Sequence, residues 1–169
     1  MVSDPLELTL GFPAAGRATN WARAASRAYI ATGVAGTVVS VLRGRPAEAL
    51  GVRTSLPVPV DVSLGLGAAL AAPWPMLVAL WRAQTAVGLT GNEGRKAKAR
   101  LVVLSALFLA GSAAEPISHD LLSRRLRGIE AVLAATNLTL PLVVLWAAVA
   151  ALMEPVKVAL RISAGSDGG

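Results

Sequence analysis

The chain has 169 residues, of which 54% are hydrophobic and 15% are charged, and its formal net charge is +6. Soluble domains average about 25% charged residues, so this composition favours a membrane protein. With no cysteine and one histidine, the sequence excludes disulfides, iron–sulfur clusters, cysteine-based zinc sites and a haem held between two histidines of one chain.

The first part of the chain predicts a tail followed by a short membrane span. Residues 1–20 contain prolines and glycines without a sustained apolar period, which predicts a mobile tail. We do not expect a signal peptide in the first 27 residues, because Asp4 and Glu7 precede any positive charge and Gly11 and Pro13 interrupt the apolar stretch. The first span is predicted over residues 28–43, and Trp21 and Tyr29 suit the aromatic belt of a membrane interface.

The middle of the chain predicts two further spans separated by a basic loop. The second span covers residues 61–82, and its Pro73-Trp74-Pro75 sequence is expected to kink or break it, since each proline removes a backbone donor. Residues 88–100 contain glycines followed by basic residues and are predicted as a loop. The third span covers residues 101–116 and ends at Glu115-Pro116.

The last part of the chain predicts an interfacial segment and the longest span. Residues 117–128 have an amphipathic pattern, and we expect them to lie along the membrane interface. The fourth span covers residues 131–153, and residues 157–169 are predicted as a flexible tail. The fold class is therefore predicted as all-α, an integral membrane bundle of four transmembrane helices in one domain over residues 21–156.

The distribution of positive charge predicts orientation and partners. The N-terminal segment, the central loop and the C-terminal tail together carry ten of the 16 Lys and Arg residues, which favours a multi-pass protein of the cell membrane with both termini in the cytoplasm. The basic clusters flank the apolar segments and have no interleaved aromatic residues, so the lipid bilayer is the expected partner and nucleic acid is not. Abundant alanine, arginine and glycine with little lysine suggest a bacterial source.

The ends of the predicted spans place ionisable residues at one membrane surface. With both termini on one side, the opposite surface receives a set of carboxylates and the single imidazole: Asp61, Glu115, His119, Asp120 and Glu130. A carboxyl group at the edge of the hydrocarbon stays protonated more readily, because its charged form is disfavoured there. We therefore predict Glu115 as a catalytic acid, with Asp61, His119 and Asp120 as assisting catalytic residues. The alternative is that these residues only mark helix ends.

Asn137 is a strongly polar residue inside the fourth span. It is predicted to line a substrate-binding cavity or to hydrogen-bond to another helix. No metal-ligand spacing, phosphate-binding loop or serine-hydrolase motif occurs in the sequence, so neither a metal nor a cofactor is expected.

Three functions fit these observations. The first is a cofactor-free membrane enzyme that performs acid/base chemistry on a lipophilic small molecule, such as ring opening, cyclisation or isomerisation in a biosynthetic route. The second is an accessory or assembly subunit that packs on a partner membrane protein or on copies of itself. The third is a small proton-coupled transporter, which is weakened because the sequence places no carboxylate at mid-membrane.

Overall fold

The computed structural model of the protein describes residues 16–46, 48, 56–64 and 67–166, without the side chains of residue 64 and residues 155–166. These residues form helices and no strands. The helices are, in chain order, α1 (Arg17–Leu42), α2 (Val58–Leu64), α3 (Trp74–Ala86), α4 (Gly91–Ala114), α5 (Pro116–Leu122) and α6 (Gly128–Ser166). The predicted all-α class is therefore confirmed.

Three helical stretches in the described part of the chain are long and apolar enough to cross a membrane: Arg17–Leu42, Gly91–Ala114 and Gly128–Glu154. Their lengths of 26, 24 and 27 residues exceed the about 20 residues that the hydrocarbon core requires. This architecture is that of a helical membrane protein. The prediction of four transmembrane helices is not confirmed, because the second predicted span is not a single helix.

The predicted break at Pro73-Trp74-Pro75 is present and is larger than a kink. Helix α2 ends at Leu64 and α3 begins at Trp74, with residues 67–73 in a non-helical conformation that we call the break segment. Pro73 has an extended ψ of 138°, and Pro75 occupies the first turn of α3, where its missing N–H costs nothing. The 13 residues of α3 reach about 20 Å, which is too short to span the hydrocarbon core alone.

The long helices extend beyond the predicted spans. Helix α1 begins at Arg17 rather than at residue 28, and residues 1–15 of the predicted tail lie outside the described residues. Helix α4 begins at Gly91, so much of the predicted loop over residues 88–100 is helical. That polar first part contains good helix formers and an ion pair between Lys96 and Glu93 at 2.8 Å. Helix α6 continues past residue 153 to Ser166.

The helices pack so that α1 and α3 run antiparallel. Gly33, in the middle of α1, contacts the side chain of Leu77 near the start of α3. Arg23, near the start of α1, donates a hydrogen bond to the backbone of Gln84 near the end of α3. Ala18 packs with Ala150 and Ala151 of α6, so the start of α1 and the end of the predicted fourth span lie at the same end of the bundle. Which side of a membrane that end faces stays a prediction.

The bundle therefore has two chemically different ends. The basic end holds the start of α1, the end of α3 and the start of α4, with Arg17, Arg23, Arg95 and Lys98 around one cavity. The acidic end holds the end of α1, the break segment, α5 and the start of α6. Its described carboxylates are Glu48, Asp61, Glu115, Asp120 and Glu130.

Candidate functional site

The break segment folds back on itself inside the bundle. Ala68 and Ala71 exchange two backbone hydrogen bonds, of 2.8 and 2.9 Å, which makes a tight turn with the fully buried Leu70 near its tip. Gly67 precedes this turn with a φ of +100°, a conformation that side chains with a Cβ rarely adopt. Non-helical backbone is tolerated at membrane depth only where protein surrounds it and satisfies its polar groups.

Two contacts hold this turn in place. The Asn137 side chain donates from Nδ2 to the carbonyl oxygen of Leu70 at 2.6 Å. On the other side, the turn lies against α1 at Gly36, where a Cβ atom would be only 2.0 Å from the Leu70 carbonyl oxygen. Asn137 is nine residues beyond Gly128, which at 1.5 Å per residue is about 14 Å along α6. The turn is therefore well inside the bundle.

A cavity of about 260 Å³ lies between the break segment, α1, α4, α5 and α6. Most of its wall is apolar and comes from alanines of the break segment together with Pro73, Met76, Leu107 and Phe108. Its polar wall is formed by Tyr29, Ser112, Glu115, Ser118 and Asn137. An apolar cavity with a few converging polar groups is typical of a small-molecule site, although this volume is slightly below the about 300 Å³ of the smallest drug-sized pockets.

Asn137 presents an unused acceptor in this cavity wall. The residue is 7% exposed, and its Nδ2 atom is committed to Leu70, whereas its Oδ1 atom is buried without a hydrogen-bond partner. This oxygen is closed to solvent, so a ligand donor reaches it only when the side chain or the cavity wall shifts.

Glu115 brings a carboxyl group to the same cavity. It directly follows α4, is 8% exposed, and accepts a hydrogen bond at Oε2 from the backbone N–H of Glu48 at 3.1 Å. Burial raises the pKa of Glu115 above its usual value of 4.5, and the nearby carboxylates of Glu48 and Asp61 raise it further, against the lowering effect of that N–H. The net effect is that the Glu115 carboxyl holds its proton to a higher pH than a solvent-exposed glutamate does.

The other predicted catalytic residues lie at the same end but in different surroundings. Asp61 is fully buried and close enough to influence Glu115, but it is not part of the cavity wall. Asp120 is 42% exposed, lies 3.9 Å from Arg125, and lines a separate hollow of about 180 Å³ that also touches Glu115. His119 is exposed on α5 and does not line the cavity.

Glu130, which the sequence analysis grouped with the other carboxylates of this end, forms ion pairs with two arginines. Its Oε1 atom lies 2.7 Å from Arg43 Nη1 and 3.1 Å from Arg45 Nε, and Arg45 also donates from Nη2 to Oε2 at 3.2 Å. Both arginines follow the end of α1, and Glu130 is in the first turn of α6. These ion pairs join α1 to α6 beside the cavity.

Tyr29, Ser112 and Ser118 also line the cavity, although the sequence analysis did not predict any of them as site residues. Tyr29 is 2% exposed and stacks at a tilt on Phe108 with 4.8 Å between ring centroids, so its placement in an interfacial aromatic belt was wrong. Its side chain hydrogen-bonds that of Ser112, and Ser118 donates to the Ser112 carbonyl. Tyr29 shares a helix face with Ala25 and Gly33, and this spacing is the signal that it faces the interior.

No group of three or more His, Asp and Glu side chains in the described part of the chain is arranged to hold a metal ion. No protein-family model, curated protein or solved structure matches the sequence. The function is therefore inferred from the geometry of the cavity and from the groups that line it.

The raised pKa of Glu115 predicts a pH-dependent contribution to stability. An acid whose pKa is higher in the folded state contributes fully below its unfolded value near 4.5, and this contribution is lost as the pH rises through the folded pKa. We expect the stability of the wild type relative to Glu115→Gln to fall over this interval. Thermal unfolding of both proteins in detergent across pH 4 to 8 measures it. A constant difference between the two would contradict a raised pKa.

Proposed function

We propose that the protein is an integral membrane enzyme that performs acid/base chemistry on a small lipophilic molecule, without a cofactor. The observation that carries the proposal is that the side chains of Glu115 and Asn137 line the same, mostly apolar cavity. A carboxyl group with a raised pKa, near a polar group that can orient the substrate, is a recurrent arrangement for proton transfer.

In the proposed reaction the protonated Glu115 carboxyl transfers its proton to an oxygen or an alkene carbon of the bound molecule. In an epoxide isomerisation the C–O bond then breaks and its electron pair stays on the protonated oxygen. A proton lost from a neighbouring carbon restores the neutral Glu115, so the net proton count is unchanged. The Asp61 carboxylate favours the return of the proton to Glu115, because a nearby negative charge disfavours the ionised form of Glu115. The Asn137 side chain, which lines the cavity, orients the substrate by hydrogen bonding in this proposal.

The wall of the cavity supports entry from the bilayer. Leu107 and Gly111 of α4 line the cavity and are also exposed on the outside of the bundle, Leu107 by 53%. A Cβ atom added at Gly111 would meet no other atom within 4 Å, so space is open at this point. In a membrane that surface of α4 faces lipid, which is where a lipophilic substrate is concentrated.

The test compares molecules that copurify with three forms of the protein: wild type, Glu115→Gln and, as a control, Asp120→Asn. Both substitutions remove one carboxylate from the acidic end, but only Glu115 lines the cavity. Solvent extraction and mass spectrometry should find one defined lipophilic compound with the wild type and the control. Glu115→Gln should either lose this compound or retain an unconverted isomer of it, with conversion reduced about 100-fold or more.

Two outcomes would favour the other functions. If all three proteins carry only bulk phospholipid and a larger membrane protein copurifies, an accessory subunit replaces the enzyme. If proteoliposomes show a flux that depends on a pH gradient and is lost in Glu115→Gln, the carboxyl binds a transported proton. Either result would refute the enzymatic proposal.

A further inference from the structure

The basic end of the bundle contains a second and larger cavity, of about 1190 Å³. Four positively charged side chains line it, those of Arg17, Arg23, Arg95 and Lys98, and no carboxylate is among its described lining residues. They come from two helices, α1 and α4, that are separated in sequence by α2, the break segment and α3. This cavity shares no lining residue with the one that contains Glu115.

Two of the charges are held by backbone groups instead of carboxylates. Arg23 donates from Nε to the carbonyl oxygen of Gln84 at 3.5 Å, and Lys98 donates from Nζ to the carbonyl oxygen of Ala151 at 3.3 Å. Both side chains are half-buried. A carbonyl positions a cation but does not neutralise its formal charge, so both charges remain available to an anion.

The described acidic residues at this end of the bundle do not line the cavity. Glu93 in the first turn of α4 is 65% exposed and is paired with Lys96 at 2.8 Å, outside the cavity wall. Glu154 of α6 is also absent from the wall. Two helix starts add to the positive potential, because Gly16 before α1 and Thr90 before α4 line the cavity and provide no side-chain cap to the first N–H groups.

We infer that this cavity is a binding site for a phosphate group. Arginine side chains bind phosphate oxygens through paired hydrogen bonds, and uncapped helix starts add N–H donors. Basic cavities between helices at a membrane surface bind the head groups of anionic lipids in this way. The phosphate belongs to an anionic phospholipid or to a soluble ligand, and the site is independent of the proposed acid/base function.

The test uses native mass spectrometry of the full chain purified in detergent, titrated with phosphatidylglycerol, phosphatidylcholine or inorganic phosphate. The variant Arg17→Gln/Arg95→Gln changes two exposed residues of the cavity wall. The matched control Arg82→Gln/Lys96→Gln removes two exposed charges from the same end but outside the cavity. We expect the cavity variant to bind at least about tenfold more weakly, equivalent to ~1.4 kcal/mol, and the control to stay within about twofold.

Comparing these ligands distinguishes a lipid head group from a soluble phosphate ligand. Tight binding of phosphatidylglycerol that inorganic phosphate does not displace identifies a lipid head group. Binding of inorganic phosphate alone at comparable strength identifies a soluble phosphate ligand. The inference is refuted if neither ligand binds the wild type more tightly than phosphatidylcholine does, or if both double variants lose affinity equally, since the latter indicates only general surface charge.

Discussion

Replacement of Gly36 by alanine is expected to lower the free energy of unfolding by about 3 kcal/mol or more, although it adds a single methyl group. The added Cβ atom would lie 2.0 Å from the carbonyl oxygen of Leu70 and 2.9 Å from its carbonyl carbon. These are backbone atoms of a turn that Asn137 holds from the other side, so the turn cannot yield by a rotamer change. In an ordinary helix position the same substitution would be favourable by about 1 kcal/mol.

Thermal and denaturant unfolding of the protein in mild detergent measure this effect, with Gly111→Ala as the matched control. Gly111 is also a helical glycine in a membrane-spanning stretch, but a Cβ atom there meets nothing within 4 Å. Its stability should be unchanged or increase by up to about 1 kcal/mol. If the two alanine variants had equal stability, the close approach of α1 to the break segment would be wrong.

Replacement of Asn137 by leucine is the second change with a large expected effect, about 2–3 kcal/mol of destabilisation. The leucine has a similar size, but it leaves the carbonyl oxygen of Leu70 buried without its donor. The break segment should then leave the interior of the bundle more often. Under the proposed function, Asn137→Leu should also abolish binding of the lipophilic compound, because the cavity wall loses both the amide and the turn.

The absence of natural cysteines provides a direct measurement of this opening. A single cysteine at Ala69, on the half-buried part of the turn, should react with a water-soluble maleimide about tenfold faster when Asn137 is leucine. Thr139→Val is the control, since Thr139 is exposed and its hydroxyl donates to the Ala135 carbonyl of its own helix. Its stability should change by no more than about 0.5 kcal/mol. Equal labelling of both variants would show that Asn137 does not hold the turn.

The sequence predicted the apolar helices better than their ends. Hydropathy located the three long helices because lipid contact requires apolar side chains on most positions. Hydropathy missed the first turns of α1 and α4, because the polar residues at these helix starts give no hydropathy signal. Pro73 and Pro75 predicted the break in the second span, but local sequence could not show that Leu70 turns back into the bundle, because its hydrogen-bond partner is 67 residues away.

The sequence predicted residues of the candidate site only where it also predicted correctly where a helix ends. Glu115 and Asn137 were both named from the sequence, and the structure places them in one cavity wall. His119 and Asp120 were named because they follow Glu115 closely, yet the short helix α5 turns them away from that wall. The direction of a seven-residue helix depends on its packing against α6, which no pattern of adjacent residues encodes.

The hydrogen bond between Asn137 and Leu70 also has a consequence for how the chain is assembled. The ribosome completes the break segment well before α6, and the Leu70 carbonyl would lack a partner in the hydrocarbon during that interval. An unsatisfied peptide group costs several kilocalories per mole there, so we expect this stretch to stay near the aqueous boundary until α6 has inserted. We then expect the turn to enter between helices that are already in the membrane, which would complete the cavity last.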